Sequence, residues 1–308
     1  MVDKDHFLDS SIRQAAFDWL ENQIKFYGDV LPRSILAQGF EFQDHRVPLL
    51  GPQGIFKPAI IKLPISITTI PSGPYDDGYL SDTLMQYRYR GVDPQHRDNR
   101  GLREAMQKRV PLIYFFQVVK GKYLALWPVF IVGDDPGALT FTVQVDDANL
   151  SLYAMDEKRG HDWISEDQSE VRRAYITASV RQRVHQRAFR ERVLQAYHEQ
   201  CAMCRLKHAE LLDAAHIIPD GEPDGDPIVS NGLALCKLHH AAFDNCFIGV
   251  RPDYVVEVRK DILEESDGPM LLHGLKEMHG KTLVLPKSVS KRPSQFLLER
   301  RYQRFVTI

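Results

Sequence analysis

CAMCRLKHAELLDAAHIIPDGEPDGDPIVSNGLALCKLHHAAFD, residues 201–244, decides how this 308-residue chain is read. Two sets of residues interleave in it. The first is Cys201-x-x-Cys204 followed by Cys236-x-x-His239. Three thiols and an imidazole arriving as two short knuckles are the donor set of a closed tetrahedral zinc site. The second is His216, Asn231 and His240, spread through the same stretch. Spacing from Cys236 gives His239 to the zinc set and leaves His240 for the second. All four cysteines of the chain lie between 201 and 246. That clustering points to metal in a reducing cytoplasm rather than to a disulfide framework, with Cys246 left over as a small apolar residue.

Working outward, three pieces stand in order around the knuckles: Asp213-Ala-Ala-His216-Ile-Ile-Pro219, Ser230-Asn231-Gly232-Leu-Ala-Leu-Cys236 and Leu238-His239-His240-Ala-Ala-Phe243-Asp244. Together they resemble the HNH (ββα-metal) endonucleases, over roughly residues 188–258. The resemblance implies two short strands, a loop and a helix, and hydrolysis of a phosphodiester. His216 takes the place of the general base, and Asn231 that of the residue bracing the loop. His240, with Asp244 one helical turn further on, takes the place of the ligands to a catalytic Mg2+ or Mn2+. One position departs from the pattern. Many family members carry a ligand immediately before the base, where this chain has Ala215, so Asp213 or Asp244 is left to complete the metal's ligands.

Charge gives a mixed signal. The formal net charge is −2, so the protein as a whole is not basic. Between Arg172 and Lys207, however, nine Arg and Lys stand against Glu191 and Glu199. A solvated helix face would carry such a run. Its position directly ahead of the candidate site favours phosphate contacts, with Arg183, Arg187 and Arg190 the foremost candidates. The chain has no apolar run long enough to span a bilayer, and its first residues lack the order of a signal peptide.

Read from its start, the chain opens on helical spacing over 11–27 (Ile12, Ala16, Trp19, Leu20, Ile24). Short runs rich in β-branched and aromatic residues follow from about 35 to 150: FEFQDHRVPLL, FKPAIIKLPISITTI, LIYFFQVV, YLALWPVFIV and LTFTVQV. A short helix is expected at Asn99–Lys108 between them. Residues 152–168 read as a hinge, 169–199 as a long basic helix, and FIGV with YVVEV as a hairpin. The tail reads as a helix at 269–278, a strand TLVLP and a last helix near 293–304. The fold class is therefore α+β. A β-barrel-like mixed domain (1–155) is joined by a hinge and basic helical linker (156–187) to a zinc-stabilised nuclease domain with its extension (188–308).

An added β domain of this size suggests substrate selection. Tyr75 and Asp76 in a Gly/Pro-rich loop, and Arg88 and Arg90 alternating with Tyr87 and Tyr89, are its candidate nucleic-acid contacts. Most of the other aromatics are expected to be β core. The two-part arrangement resembles modification-dependent restriction endonucleases. It implies double-stranded DNA as partner, 5-methyl- or 5-hydroxymethylcytosine as the base read, and a homodimer for double-strand breaks. Three other functions remain open: a sequence-specific HNH restriction enzyme, a non-catalytic zinc-stabilised DNA-binding regulator, and an RNA-processing nuclease.

Overall fold

In the computed structural model, described for residues 4–70, 85–145, 169–266 and 268–307, the chain forms two compact units, 1–184 and 185–308. The opening helix α1 (Lys4–Tyr27) starts earlier than the apolar spacing indicated. It is followed by β1 (Val30–Pro32) and α2 (Arg33–Gln38). FEFQDHRV folds as a hairpin of β2 (Phe40–Phe42) and β3 (His45–Val47). Next come β4 (Ile55–Phe56), β5 (Ser66–Thr69), β6 (Met85–Arg88) and the helix α3 (Arg97–Gln107). The long strands β7 (Leu112–Val119), β8 (Lys122–Asp135) and β9 (Thr140–Val145) close the unit.

Seven of these strands form one sheet, in the order β4-β5-β7-β8-β9-β6 with β1 added beside β8. The pairing is antiparallel except for β5 against β7. The sheet curls into a half-barrel. The first five residues of β7 are all buried, which explains why its sequence runs apolar without alternation. Ile113 and Phe115 pack with Ile12, Ala16 and Leu20 of α1. Tyr114 meets Tyr87 edge-on, with centroids 6.2 Å apart, and its hydroxyl shares a 2.7 Å hydrogen bond with Thr69.

Among the side chains fixing α1 to the sheet, Arg13 is 2% exposed. It pairs with Asp9 and donates to the carbonyls of Pro64 and Pro111, both at 2.9 Å. The hinge expected at 152–168 and the loop holding Tyr75 and Asp76 lie outside the described residues.

The second unit begins within the helix α4 (Ser169–Ala196). Then follow β10 (Leu212–His216) and β11 (Gly232–Cys236), paired antiparallel so that His216 faces Gly232 and Leu212 faces Cys236. Helix α5 (Lys237–Asp244) comes directly after, and FIGV and YVVEV form the hairpin of β12 (Ile248–Val250) and β13 (Val256–Val258).

The tail contains α6 (Lys260–Glu264), α7 (Pro269–Gly274) and α8 (Gln295–Val306). Two expectations for it need correction. The helix expected at 269–278 stops at Gly274, and a separate 3-10 turn carries Lys276–Met278. TLVLP contributes one bridge, Val255 with Thr282, instead of a strand: the Leu283 amide donates to the Tyr254 carbonyl, and the next amide, of Val284, turns to the Ala202 carbonyl. Leu275, Met278, Leu283, Leu297 and Leu298 all enter the same core as β10 and β11, so the tail is integral to the second unit. Gly249 permits this packing: a Cβ there would lie 2.5 Å from the ring of Phe305 in α8. No described helix is long and apolar enough to cross a membrane.

Replacing Arg13 by Met would leave Asp9 and two carbonyls without their partner. The expected loss for the N-terminal unit is about 3 kcal/mol, read as a lowered urea midpoint for the full chain. A midpoint within error of the parent's would show that Arg13 does not hold α1 in place.

Candidate active site

The knuckle Cys201–Cys204 closes on itself through the Arg205 amide, which donates to the Cys201 carbonyl at 3.0 Å. Arg205 adopts φ of +63°, the left-handed bend that returns the chain. The second knuckle lies at the junction of β11 and α5, so strand pairing and helix start place Cys236 and His239 together. His239 Nδ1 is 3.4 Å from Cys201 Sγ and 3.2 Å from Cys236 Sγ, and Cys204 Sγ is 3.9 Å from Cys236 Sγ. All four donor atoms lie within 4.8 Å of one another. A tetrahedron with bonds of about 2.0–2.3 Å has edges of this size, so the set fits a metal ion.

Electrostatics agree with that fit. Burial opposes charge on His239, yet hydrogen bonds with the two sulfurs push its pKa up to about 10. The cluster thus favours a positive charge at its centre. The other ring nitrogen, Nε2, is 2.7 Å from the Gly274 carbonyl, the outer contact that orients a metal-binding imidazole.

His240, the next residue, turns to carboxylates instead. Its Nδ1 lies 3.6 Å from Asp213 and its Nε2 3.2 Å from Asp244. Hydrogen bonding to Asp213 and then Asp244 raises its pKa to about 9 against the opposing effect of burial. Two carboxylates about one imidazole again favour a cation, here at a half-exposed position: Asp213 is 44% and Asp244 54% exposed. Asp213, Asp244 and one His240 nitrogen are hard oxygen and borderline nitrogen donors suited to a divalent ion.

Asn231 is fully buried. Its Oδ1 accepts from the Ile218 amide at 2.9 Å, while Nδ2 donates to the carbonyls of Ile218 (3.0 Å) and Asp226 (3.1 Å). It therefore ties the backbone just beyond His216 to the far side of the loop. His216 ends β10, with its ring stacked on Phe189 and its Nε2 buried without a hydrogen-bond partner among the described residues. Burial lowers its pKa, and the positive charge of nearby His240 adds to the effect, while Asp220 opposes it.

Several arginines expected to meet DNA have protein partners here. Arg183 pairs with Asp29 at 2.9 Å. Arg190 pairs with Glu191 at 2.7 Å, donates to the carbonyls of Ala209 (3.0 Å) and Leu212 (2.9 Å), and lies 3.5 Å from Asp213. Arg187 is half-buried on the same helix. In the first unit, exposed Arg88 and half-buried Arg90 line a cleft of 270 Å³ together with Gln53, Tyr87 and Tyr89. Asp98 and Gln53 both contact the Arg90 guanidinium.

Arg301 in α8 was not evident in the sequence. It is 9% exposed, donates to the carbonyls of Phe243 (2.9 Å) and Asp244 (3.1 Å), and lies over the Phe243 ring at 4.9 Å. It thus satisfies the open carbonyls at the end of the helix that carries His240 and Asp244. Its sequence signal, one Arg among several in an amphipathic helix, does not single it out.

Residues 201–251 match the family model described as HNH endonuclease. No curated protein matches the chain by sequence. Two solved structures show a weak likeness. One is described as a modification-dependent TagI restriction endonuclease, with 14% identity, 79% of this chain and 82% of that chain covered, and a TM-score of 0.31. The other is the Type IV phosphorothioation-dependent restriction endonuclease ScoMcrA, with 16% identity, 78% and 56% covered, and a TM-score of 0.21. Likenesses of that size carry no weight for function, whereas the family match falls on the residues just described.

Arg301→Met keeps much of the side-chain volume but removes both carbonyl bonds. We expect it to cost the C-terminal unit about 2 kcal/mol. Thermal unfolding reads this directly, and an unchanged Tm would remove Arg301 from the support of α5.

Proposed function

We propose that this chain, an HNH endonuclease by the match of its Cys201–Arg251 segment, is a metal-dependent DNA endonuclease of the restriction type, whose N-terminal unit reads modified cytosine. The observation that carries the nuclease half is His240 between Asp213 and Asp244, on the ββα frame that also holds His216 and Asn231. Zinc is the ion proposed for Cys201, Cys204, Cys236 and His239, in a structural role. Mg2+ or Mn2+ is proposed for His240 and Asp244, with Asp213 as the carboxylate that compensates for Ala215. When bound, that ion supplies positive charge against the phosphate oxygens and the departing 3′-oxygen.

The chain's own groups account for the rest. His216, kept neutral by burial, accepts the proton of the attacking water. Asn231 holds the Ile218 backbone and with it the end of the strand presenting that imidazole. Arg190 secures Asp213 and the backbone at Leu212, and so acts on the DNA indirectly.

For the reader, the cleft between Gln53 and Arg90 is the favoured place. Exposed Arg88 lines it, beside Arg90, which Asp98 and Gln53 hold in place, and the edges of the largely buried Tyr87 and Tyr89. Each HNH site cuts one strand, so a homodimer is proposed for double-strand breaks. Nicking at low enzyme concentration that gives way to linearisation at high concentration is its expected signature.

The test is cleavage of matched plasmids, unmodified or carrying 5-methyl- or 5-hydroxymethylcytosine, with Mg2+ or Mn2+. Cutting should be confined to modified DNA, and His216→Ala should lower the rate by about 10²-fold or more with binding retained. Equal cutting of all plasmids would sink the reader while keeping the nuclease. Binding without cutting by the parent would instead indicate a regulator.

The pH profile follows from the sign of the His216 shift. Catalysis needs the neutral ring, and its pKa is lowered, so the rate should hold below the ordinary histidine value of about 6.5 before it falls with further acidification. A limb above that value that does not move as the metal concentration is raised would contradict the buried-base assignment; one that does move reports His240, whose pKa is raised to about 9, giving up its proton to the ion.

A further inference from the structure

The group lying against the imidazole of His216 comes from outside the ββα frame. It is Phe189, in the last two turns of α4. The two rings stack with centroids 4.0 Å apart and planes 16° from parallel, and Phe189 is only 2% exposed. A second observation accounts for its place. Directly across the strand pair from His216 is Gly232. A Cβ on Gly232 would lie 2.9 Å from Phe189 Cζ and 2.5 Å from Val193 Cγ2. The phenyl ring therefore occupies space that any other residue at 232 would claim.

A third observation concerns the usual means of holding a catalytic imidazole. One ring nitrogen normally works while the other is fixed by a hydrogen bond, which sets plane and tautomer together. His216 Nε2 is buried and has no such partner among the described residues. What lies against the imidazole is the face of a buried ring, and that contact bears on its orientation. An aromatic face restricts the tilt of the imidazole, shields one side from water and leaves rotation about χ2 opposed by packing.

We propose that Phe189 is a positioning residue for His216, seated by the missing side chain of Gly232, so that stacking does the orienting that a hydrogen bond does elsewhere. The proposal rests on His216 being the general base. Nδ1 is then the nitrogen that meets the attacking water, and Phe189 never touches substrate.

The experiment uses the full chain with zinc bound, comparing the parent with Phe189→Leu and Gly232→Ala. The first variant removes the aromatic face at similar size. The second keeps both rings but puts a methyl group where Phe189 and Val193 now lie, so the phenyl ring must shift. Each is expected to lower kcat for plasmid cleavage by about tenfold or more, with KM nearly unchanged and zinc content retained. NMR of histidine-labelled protein gives an independent readout, since a ring stacked on phenyl has its protons shifted upfield. One such signal should be present in the parent, vanish in His216→Gln, and return to the ordinary range in Phe189→Leu.

Absence of the shifted signal in the parent overturns the contact, whether or not the variants fold. Loss of the shift with kcat intact overturns the positioning role. A His216→Ala enzyme that cuts at the parent rate would end the general-base reading instead, while the NMR signal would still report the stacking. The two failures are therefore distinguishable.

Discussion

Helix α5 is anchored at both ends by opposite kinds of chemistry. Its first turn places His239 among three sulfurs, and its last places Asp244 beside His240. The helix is eight residues long, too short to persist alone in water. It is held by the thiol cluster, by its direct continuation from β11 and by Arg301 at its open carbonyls. Adjacent residues on a helix point about 100° apart, which is why His239 and His240 can serve two separate sites without competing. Because His240 follows His239 directly in this helix, whatever steadies the thiol cluster also bears on His240, although it touches none of the sulfurs.

Much of this arrangement was legible in the sequence because its determinants are local. Cys201-x-x-Cys204 and Cys236-x-x-His239 each bend within one turn, so spacing alone groups their donors. The β10–β11–α5 order is what the resemblance of DAAHIIP, SNGLALC and LHHAAFD to the ββα-metal pattern implies, and the fold has it. Runs such as LIYFFQVV read as strands for a similar reason: a strand buried on both faces has little choice of composition.

The determinants that escaped the sequence are contacts between distant segments. Asp213 was left undecided because strand periodicity does not reveal which helix packs over it; the structure brings His240 within 3.6 Å. Arg190 read as one more cation in a basic run, yet its guanidinium reaches two carbonyls some twenty residues away. Charge density along a helix says nothing of which cations the protein keeps for itself. Phe189 and Arg301 carry no local motif, and only the folded chain reveals what each touches. TLVLP departs from the strand its composition predicts for the same reason, since its Val284 amide pairs with the distant Ala202 carbonyl.

The bonds around Asn231 also bear on how this protein ages. An Asn followed by Gly is the dipeptide most prone to deamidation, because the unhindered glycine nitrogen attacks the side-chain carbonyl to form a cyclic imide. Asn231-Gly232 is such a pair. In the fold, Oδ1 is held by the Ile218 amide, Nδ2 is held by two carbonyls, and the residue has no exposed surface. The side chain cannot swing onto its own backbone without breaking all three bonds. The bracing that steadies the loop therefore also acts as a chemical preservative, and it lasts only as long as the fold does. A molecule that opens at this loop for long enough is converted to aspartate or isoaspartate at the residue that ties the Ile218 backbone to Asp226.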